Sequence, residues 1–150
     1  MRDWLTQYPQ LPLFSNSLSV AYSQAGRRQD AEAVIEENYR RHPDYVFARL
    51  NYAEVCLAQG NYARIAEIFA HQFDLRLLYP RRRRFHLSEV ANFLGVIGLY
   101  YVAIGKREAA ERQYELLKHI APEYPLTKGL RRTLYPSLFR RLLRGLMGRR

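Results

Sequence analysis

The chain is poor in the residues that build crosslinks and metal cages. Among 150 residues there is one cysteine, Cys56, so a disulfide or a cysteine-built zinc site within one chain is excluded. A lone thiol fits a reducing compartment, and a cytoplasmic location is the expectation. The opening stretch, MRDWLTQYPQ, has no apolar run followed by a small-residue cleavage site, so it does not read as a secretory signal. Long apolar runs are scarce too. The most apolar uncharged stretch, VANFLGVIGLYYVAIG (90–105), would reach only about 24 Å as a helix, against about 30 Å of bilayer hydrocarbon. It reads as a helix buried on several sides. There is no P-loop and no glycine-rich dinucleotide turn. The four histidines, His42, His71, His86 and His119, are scattered. His86 and Glu89 stand three apart, but two ligands do not make a zinc site. Cys56 falls in an apolar stripe, which points to packing rather than nucleophilic work. The expectation is a chain without catalytic constellation, metal or cofactor.

Acid is the other thing in short supply, and only in places. The net charge is +10, yet residues 1–80 carry eight basic against nine acidic side chains. Residues 81–125 carry eight against five, and residues 126–150 carry eight and no acid at all. The basic character therefore sits in the run Arg81–Arg84 and in the C-terminal segment. With 48% hydrophobic and 25% charged residues the rest reads as one globular domain, long enough for a core.

The clearest positive signal is an internal period. Gly26 and Gly60 are 34 residues apart, as are Pro9 and Pro43. Around each of Gly26, Gly60 and Gly105 the same arrangement returns. Tyr22, Cys56 or Tyr101 precedes the glycine by four, and Ser19, Ala53 or Gly98 precedes it by seven. Ala31, Ile65 or Ala110 follows by five, and Ile35, Phe69 or Tyr114 by nine. Pro43 and Pro122 follow by seventeen, with Leu77 in the middle copy. A glycine can end a helix in the left-handed conformation that other residues adopt only at a cost. Small residues let two antiparallel helices approach, and larger apolar ones at spacings of three and four form the buried stripe. Proline stops the second helix of each pair.

This pattern resembles the tetratricopeptide repeat family, whose unit is a helix–turn–helix of 34 residues. The resemblance implies an all-α fold: an α-solenoid of about three degenerate repeats with C-terminal capping helices. The repeats are read at 10–43, 44–77 and 91–124, preceded by a half-repeat at 3–9. An insert covers about 74–88, and a basic capping or tail segment covers 125–150. Helices are expected near 3–8, 13–25, 29–41, 45–59, 62–77, 88–104, 107–120, 125–134 and 137–147, the sixth capped by Ser88 with Glu89 at its positive end. The large residue common early in the first helix is replaced by Ser15 and Arg49. Ile65 stands where alanine is usual, and Asn38 and Gln72 where small residues are usual, departures that loosen packing or mark a divergent branch.

Such a scaffold leaves a concave face lined by the first helix of each pair. Carried over by alignment, that face includes Asn16, Val20, Phe47, Leu50, Asn51, Glu54, Leu57, Asn92, Leu99 and Val102, with Leu13 and Ser23. It suits a peptide or a helix from a protein partner, or it covers a neighbouring element of the same chain. Some family members clamp a C-terminal carboxylate with inner lysine, arginine and asparagine. Of the matching positions here, Asn16, Val20, Asn51, Asn92 and Val96, only Asn51 fits, which argues against that clamp. Beginning at a mid-repeat position, the chain could also pair with another copy, as a homo-oligomer, or belong to a longer product.

Two basic features remain. Arg81, Arg82, Arg83 and Arg84 lie between Tyr79 and Phe85. They form a solvated connector, or a helix start whose arginines pair with Glu89 and its neighbours, or they hold an acidic protein partner, or contact nucleic-acid phosphates. In SLFRRLLRGLMGRR, Leu138, Phe139, Leu142, Leu143, Leu146 and Met147 recur at helical spacing opposite Arg140, Arg141 and Arg144. This segment, 137–150, caps the last repeat, docks on a partner, lies on a membrane surface or binds nucleic acid. The leading expectation is a non-catalytic adaptor with a basic edge for acidic partners. A nucleic-acid accessory protein and a peripheral membrane scaffold are the alternatives.

Overall fold

The computed structural model describes residues 11–137, which form eight helices and no strand. The chain divides into two compact units, Met1–Gln72 and Phe73–Arg150. The first holds α1 (Pro12–Gln24), α2 (Arg28–Arg41), α3 (Val46–Gln59) and α4 (Tyr62–Ile68). The second holds α5 (Leu75–Leu78), α6 (Leu87–Ala103), α7 (Arg107–Ile120) and α8 (Pro125–Leu134). The expected helices at 3–8 and 137–147 lie outside the described residues, apart from Ser137.

Three hairpins turn in one way. Gly26, Gly60 and Gly105 have φ of +71°, +71° and +78°. At each, the amide after the glycine closes back on the carbonyl four residues before it. Arg27 N donates to Tyr22 O at 2.9 Å, Asn61 N to Cys56 O at 2.9 Å, and Lys106 N to Tyr101 O at 2.8 Å. The bond ties up carbonyls that a helix end would leave unpaired, and the left-handed glycine makes the reversal possible. The small residues seven before each glycine, Ser19, Ala53 and Gly98, are all buried.

The turns after the second helices also match. Tyr45 N donates to His42 O and Tyr124 N to Ala121 O, both at 3.1 Å. In both places a helix begins three residues after the proline, α3 after Pro43 and α8 after Pro122. So α8, expected as a cap, has the local chemistry of another first helix.

The middle copy departs from expectation. The helix expected over 62–77 stops at Ile68, because Ala70 and His71 take φ of +49° and +58°. His71 N then bonds Ala66 O at 2.8 Å, the same closure the glycine turns use, here without a glycine. Arg49, at a position where a large apolar residue is usual, sends its guanidinium to Ile68 O at 2.8 Å, the last carbonyl of α4. Asp74 starts α5 by accepting from Arg76 N. The next helix begins at Leu87 after His86, two residues earlier than a Ser88 cap allows, and Glu89 accepts from His86 N at 2.9 Å. Asn38 does not loosen its surroundings: it is 2% exposed and bonded inside the first unit. Gln72 lies beyond α4 and is exposed.

In the second unit α6 and α8 pack at very short range. A Cβ at Gly95 would lie 2.6 Å from Leu126 Cβ, and one at Gly98 would lie 2.5 Å from Leu130 Cδ2. Leu130, Leu134, Ala91, Ala110, Tyr114 and Leu117 form the core of this unit. No helix among the described residues is long and apolar enough to cross a membrane.

Candidate interaction surface

In the first unit the two leading helices, α1 and α3, do not close on each other as α6 and α8 do. Asn51 Nδ2 donates to Asn16 Oδ1 at 3.1 Å, and Asn38 Nδ2 donates to the same oxygen at 2.9 Å and to Pro12 O at 3.3 Å. Beyond this trio lies a cavity of about 410 Å³ lined by α1, α2 and α3. Val20, Ala31, Ile35, Val55 and Ala58 form its apolar wall, and Ser19, Ser23, Gln24, Asn51 and Glu54 its polar one, with the Arg28–Glu32 pair at its edge. The opposite side of α3 is held firmly. Tyr52 stacks on Tyr39 of α2 with centroids 5.2 Å apart, and Gln59 Nε2 donates to Glu32 at 3.2 Å. The gap beside α1 thus belongs to a unit whose other helix contacts are well made.

Side-chain length explains the difference. Glycines at 95 and 98 admit leucines between α6 and α8. The small residues on the facing side of α1, Ser19 and Ser23, meet Asn51, Glu54 and Ala58, none of which reaches across to fill the space. Val20 is 54% exposed, and Leu13, one face of α1 further back, is 64% exposed. Glu54 is exposed and makes no ion pair among the described residues. Crowding by the cleft withdraws water from its carboxyl, so desolvation raises its pKa above the ordinary value. Burial likewise raises the Cys56 thiol, which sits in the core of the unit as a packing residue would.

Of the residues expected on the inner face, Asn16, Val20, Asn51 and Glu54 come together here. Leu50 does not belong to an accessible surface, because it is 1% exposed. Phe47 and Leu57 are half-buried, Phe47 edge-on to Tyr45 at 5.9 Å. Asn92, Leu99 and Val102 lie in the second unit and are used by its own packing. Asn92 Nδ2 donates to Ser88 O and to Tyr124 Oη, both at 2.8 Å, while Leu99 and Val102 pack on the core. Asn38 was legible only as a departure from a small residue. Its Oδ1 is buried with no partner among the described residues.

The arginine run divides. Arg82 folds inward: its guanidinium gives two bonds to Glu89, at 3.0 and 2.8 Å, and lies 4.4 Å from the Phe85 centroid and 5.7 Å from that of Tyr79. The bonds from Arg82, with help from the His86 amide, hold the buried Glu89 carboxyl below its ordinary pKa against the opposing effect of desolvation. Arg81, Arg83 and Arg84 stay exposed, with no ion pair among the described residues. The expected pairing with Glu89 is therefore made by Arg82, in the loop before α6, and three exposed arginines remain. Arg140, Arg141 and Arg144, with the membrane-surface reading attached to them, lie outside the described residues.

Among the described residues no three His, Cys, Asp or Glu side chains gather as a metal site would need. Comparison of the chain with protein-family models, curated proteins and solved structures returns no match.

Proposed function

We propose that the chain is a non-catalytic protein-interaction module, built as an α-solenoid of about three degenerate tetratricopeptide-like repeats. The three like hairpin turns at Gly26, Gly60 and Gly105 support the repeat reading. The open cleft beside α1 carries the functional one. A space of about 410 Å³ takes one or two large apolar side chains, and Glu54 offers a desolvated carboxylate to a cationic or amide group beside them. The matching partner is a helix or extended peptide with an apolar anchor next to a lysine or arginine. Arg81, Arg83 and Arg84 would steer acidic stretches of the same partner and act on the association rate.

A comparative pull-down tests this reading, with bound proteins identified by mass spectrometry. Val20→Asp should remove a defined set of partners that wild type retains, while circular dichroism shows unchanged helix content. Replacing Arg81, Arg83 and Arg84 by Glu should slow capture of the same set. Identical captures by wild type and Val20→Asp would refute the cleft as the binding surface.

A second reading, an accessory protein for nucleic acid, is favoured by one observation: the loop bearing Arg81, Arg83 and Arg84 is held in place by Arg82 and Glu89, so three cations are presented from a fixed base. Phosphate contacts would make log affinity fall linearly with log salt, whereas docking in an apolar cleft would leave it nearly flat.

A further inference from the structure

The end of α8 carries a second surface, inside the basic segment 125–150 that the sequence singles out. Lys128, Arg131, Arg132, Tyr135, Pro136 and Ser137 line a cavity of about 460 Å³, with no carboxylate among its described lining residues. Lys128 pairs with Glu123 at 2.7 Å, but that carboxylate is 86% exposed and the bond is correspondingly weak. Arg131 and Arg132 make no ion pair among the described residues and are exposed.

Tyr135 is the unusual member. An aromatic just past a helix end is normally loose, yet this one is held on two sides. The Tyr114 ring of α7 meets it edge-on at 5.8 Å, and the Arg107 guanidinium stands 5.6 Å from its centroid. Arg107 is itself fixed, donating to Leu134 O at 3.0 Å and pairing with Glu111 at 3.0 Å. Even so, Tyr135 remains 49% exposed. Ring immobilisation ordinarily accompanies burial; here the ring is immobilised and left open beside three cations.

We propose that this surface binds single-stranded nucleic acid, one base stacking on Tyr135 and the flanking phosphates meeting Lys128, Arg131 and Arg132. A base needs a flat, pre-positioned π-face, and phosphates need exposed cations around it. A membrane fits less well, since Tyr135 is the one large apolar side chain exposed among the lining residues. The proposal does not depend on the cleft beside α1, and either can fail alone.

The test uses the full chain and fluorescence anisotropy with 12-nucleotide oligothymidylate and oligouridylate, with heparin as a polyanion lacking bases. Tyr135→Ala should weaken both oligonucleotides at least about fivefold and leave heparin unchanged, and Tyr135→Phe should restore wild-type affinity. Arg131→Ala with Arg132→Ala should weaken oligonucleotides and heparin alike and flatten the salt dependence. Melting curves identify any variant that has lost its fold, and in that case the Phe variant and the arginine pair decide. No oligonucleotide binding at 50 mM salt overturns the proposal. So does equal affinity of the Ala, Phe and wild-type proteins for the oligonucleotides, or binding confined to anionic lipid vesicles.

Discussion

Asn16 and Asn51 share a hydrogen bond of 3.1 Å that ties α1 to α3 beside an open cleft. Asn38 joins the same acceptor from the buried side. Removing the acceptor with Asn16→Ala leaves Asn51 Nδ2 without its partner and the buried Asn38 Nδ2 with only Pro12 O, at 3.3 Å. Such a loss costs about 1–3 kcal/mol. Urea unfolding should show a lower midpoint with an unchanged slope, and Asn16→Asp, which keeps the acceptor, should recover part of the loss.

Packing in the second unit makes an opposite pair of expectations for two helical glycines. Gly95→Ala drives a Cβ to 2.6 Å from Leu126 Cβ, an atom close to its own backbone that cannot swing away. Overpacking of this kind costs about 1–3 kcal/mol and exceeds the gain of about 1 kcal/mol from replacing an interior glycine. Gly129 in α8 has nothing within 4 Å of an added Cβ, so Gly129→Ala should stabilise. Thermal unfolding of the two variants should move in opposite directions.

The Arg82–Glu89 pair sets an acid limit. A carboxyl held below its unfolded pKa contributes stability above that value and loses it as pH falls through the folded one. Glu89 starts from an ordinary value of 4.5 and is lowered, chiefly by Arg82. Melting temperatures of the wild type should therefore fall below about pH 4.5, while Glu89→Gln should begin lower at pH 7 and show a shallower acid branch.

Glu54 has the reverse sign. Desolvation raises its pKa above 4.5, so the folded state binds the proton more tightly and loses stability as pH rises through that interval. Glu54 is exposed, so water screens much of this effect, and Glu54→Gln should melt only slightly higher than wild type at pH 7, with the gap closing below pH 4.5. A stabilising substitution that also weakens partner binding would mark the carboxylate as a group kept for recognition.

Spacing alone carried much of this architecture. The glycine turns, the buried Ser19, Ala53 and Gly98, and the second-helix residues Ala31 and Ala110 follow from which residues can sit at a reversal or a close helix contact. The early end of α4 was not legible, because Ala70 and His71 take left-handed φ without any glycine to announce it. Arg49 gave no sign either; its role depends on Ile68 O, nineteen residues away. Of the cleft, Asn16, Val20, Asn51 and Glu54 came from the repeat register. Leu50 was misplaced by one face, since a position next to Asn51 on a helix turns about 100° toward the core. Tyr135 was hidden because its value lies in being held by Arg107 and Tyr114, a contact no local pattern encodes.

The cleft can be examined without knowing its natural partner. A ¹⁵N-labelled full chain would be titrated with a 15-residue amphipathic helical peptide of leucine and lysine, and amide shifts followed by NMR. The shifts should concentrate on Ser19, Val20, Ser23, Asn51, Glu54 and Ala58, and should vanish in Val20→Asp. Shifts confined to residues outside the cleft, or unchanged by Val20→Asp, would mean that the space beside α1 is a packing gap and not a binding surface.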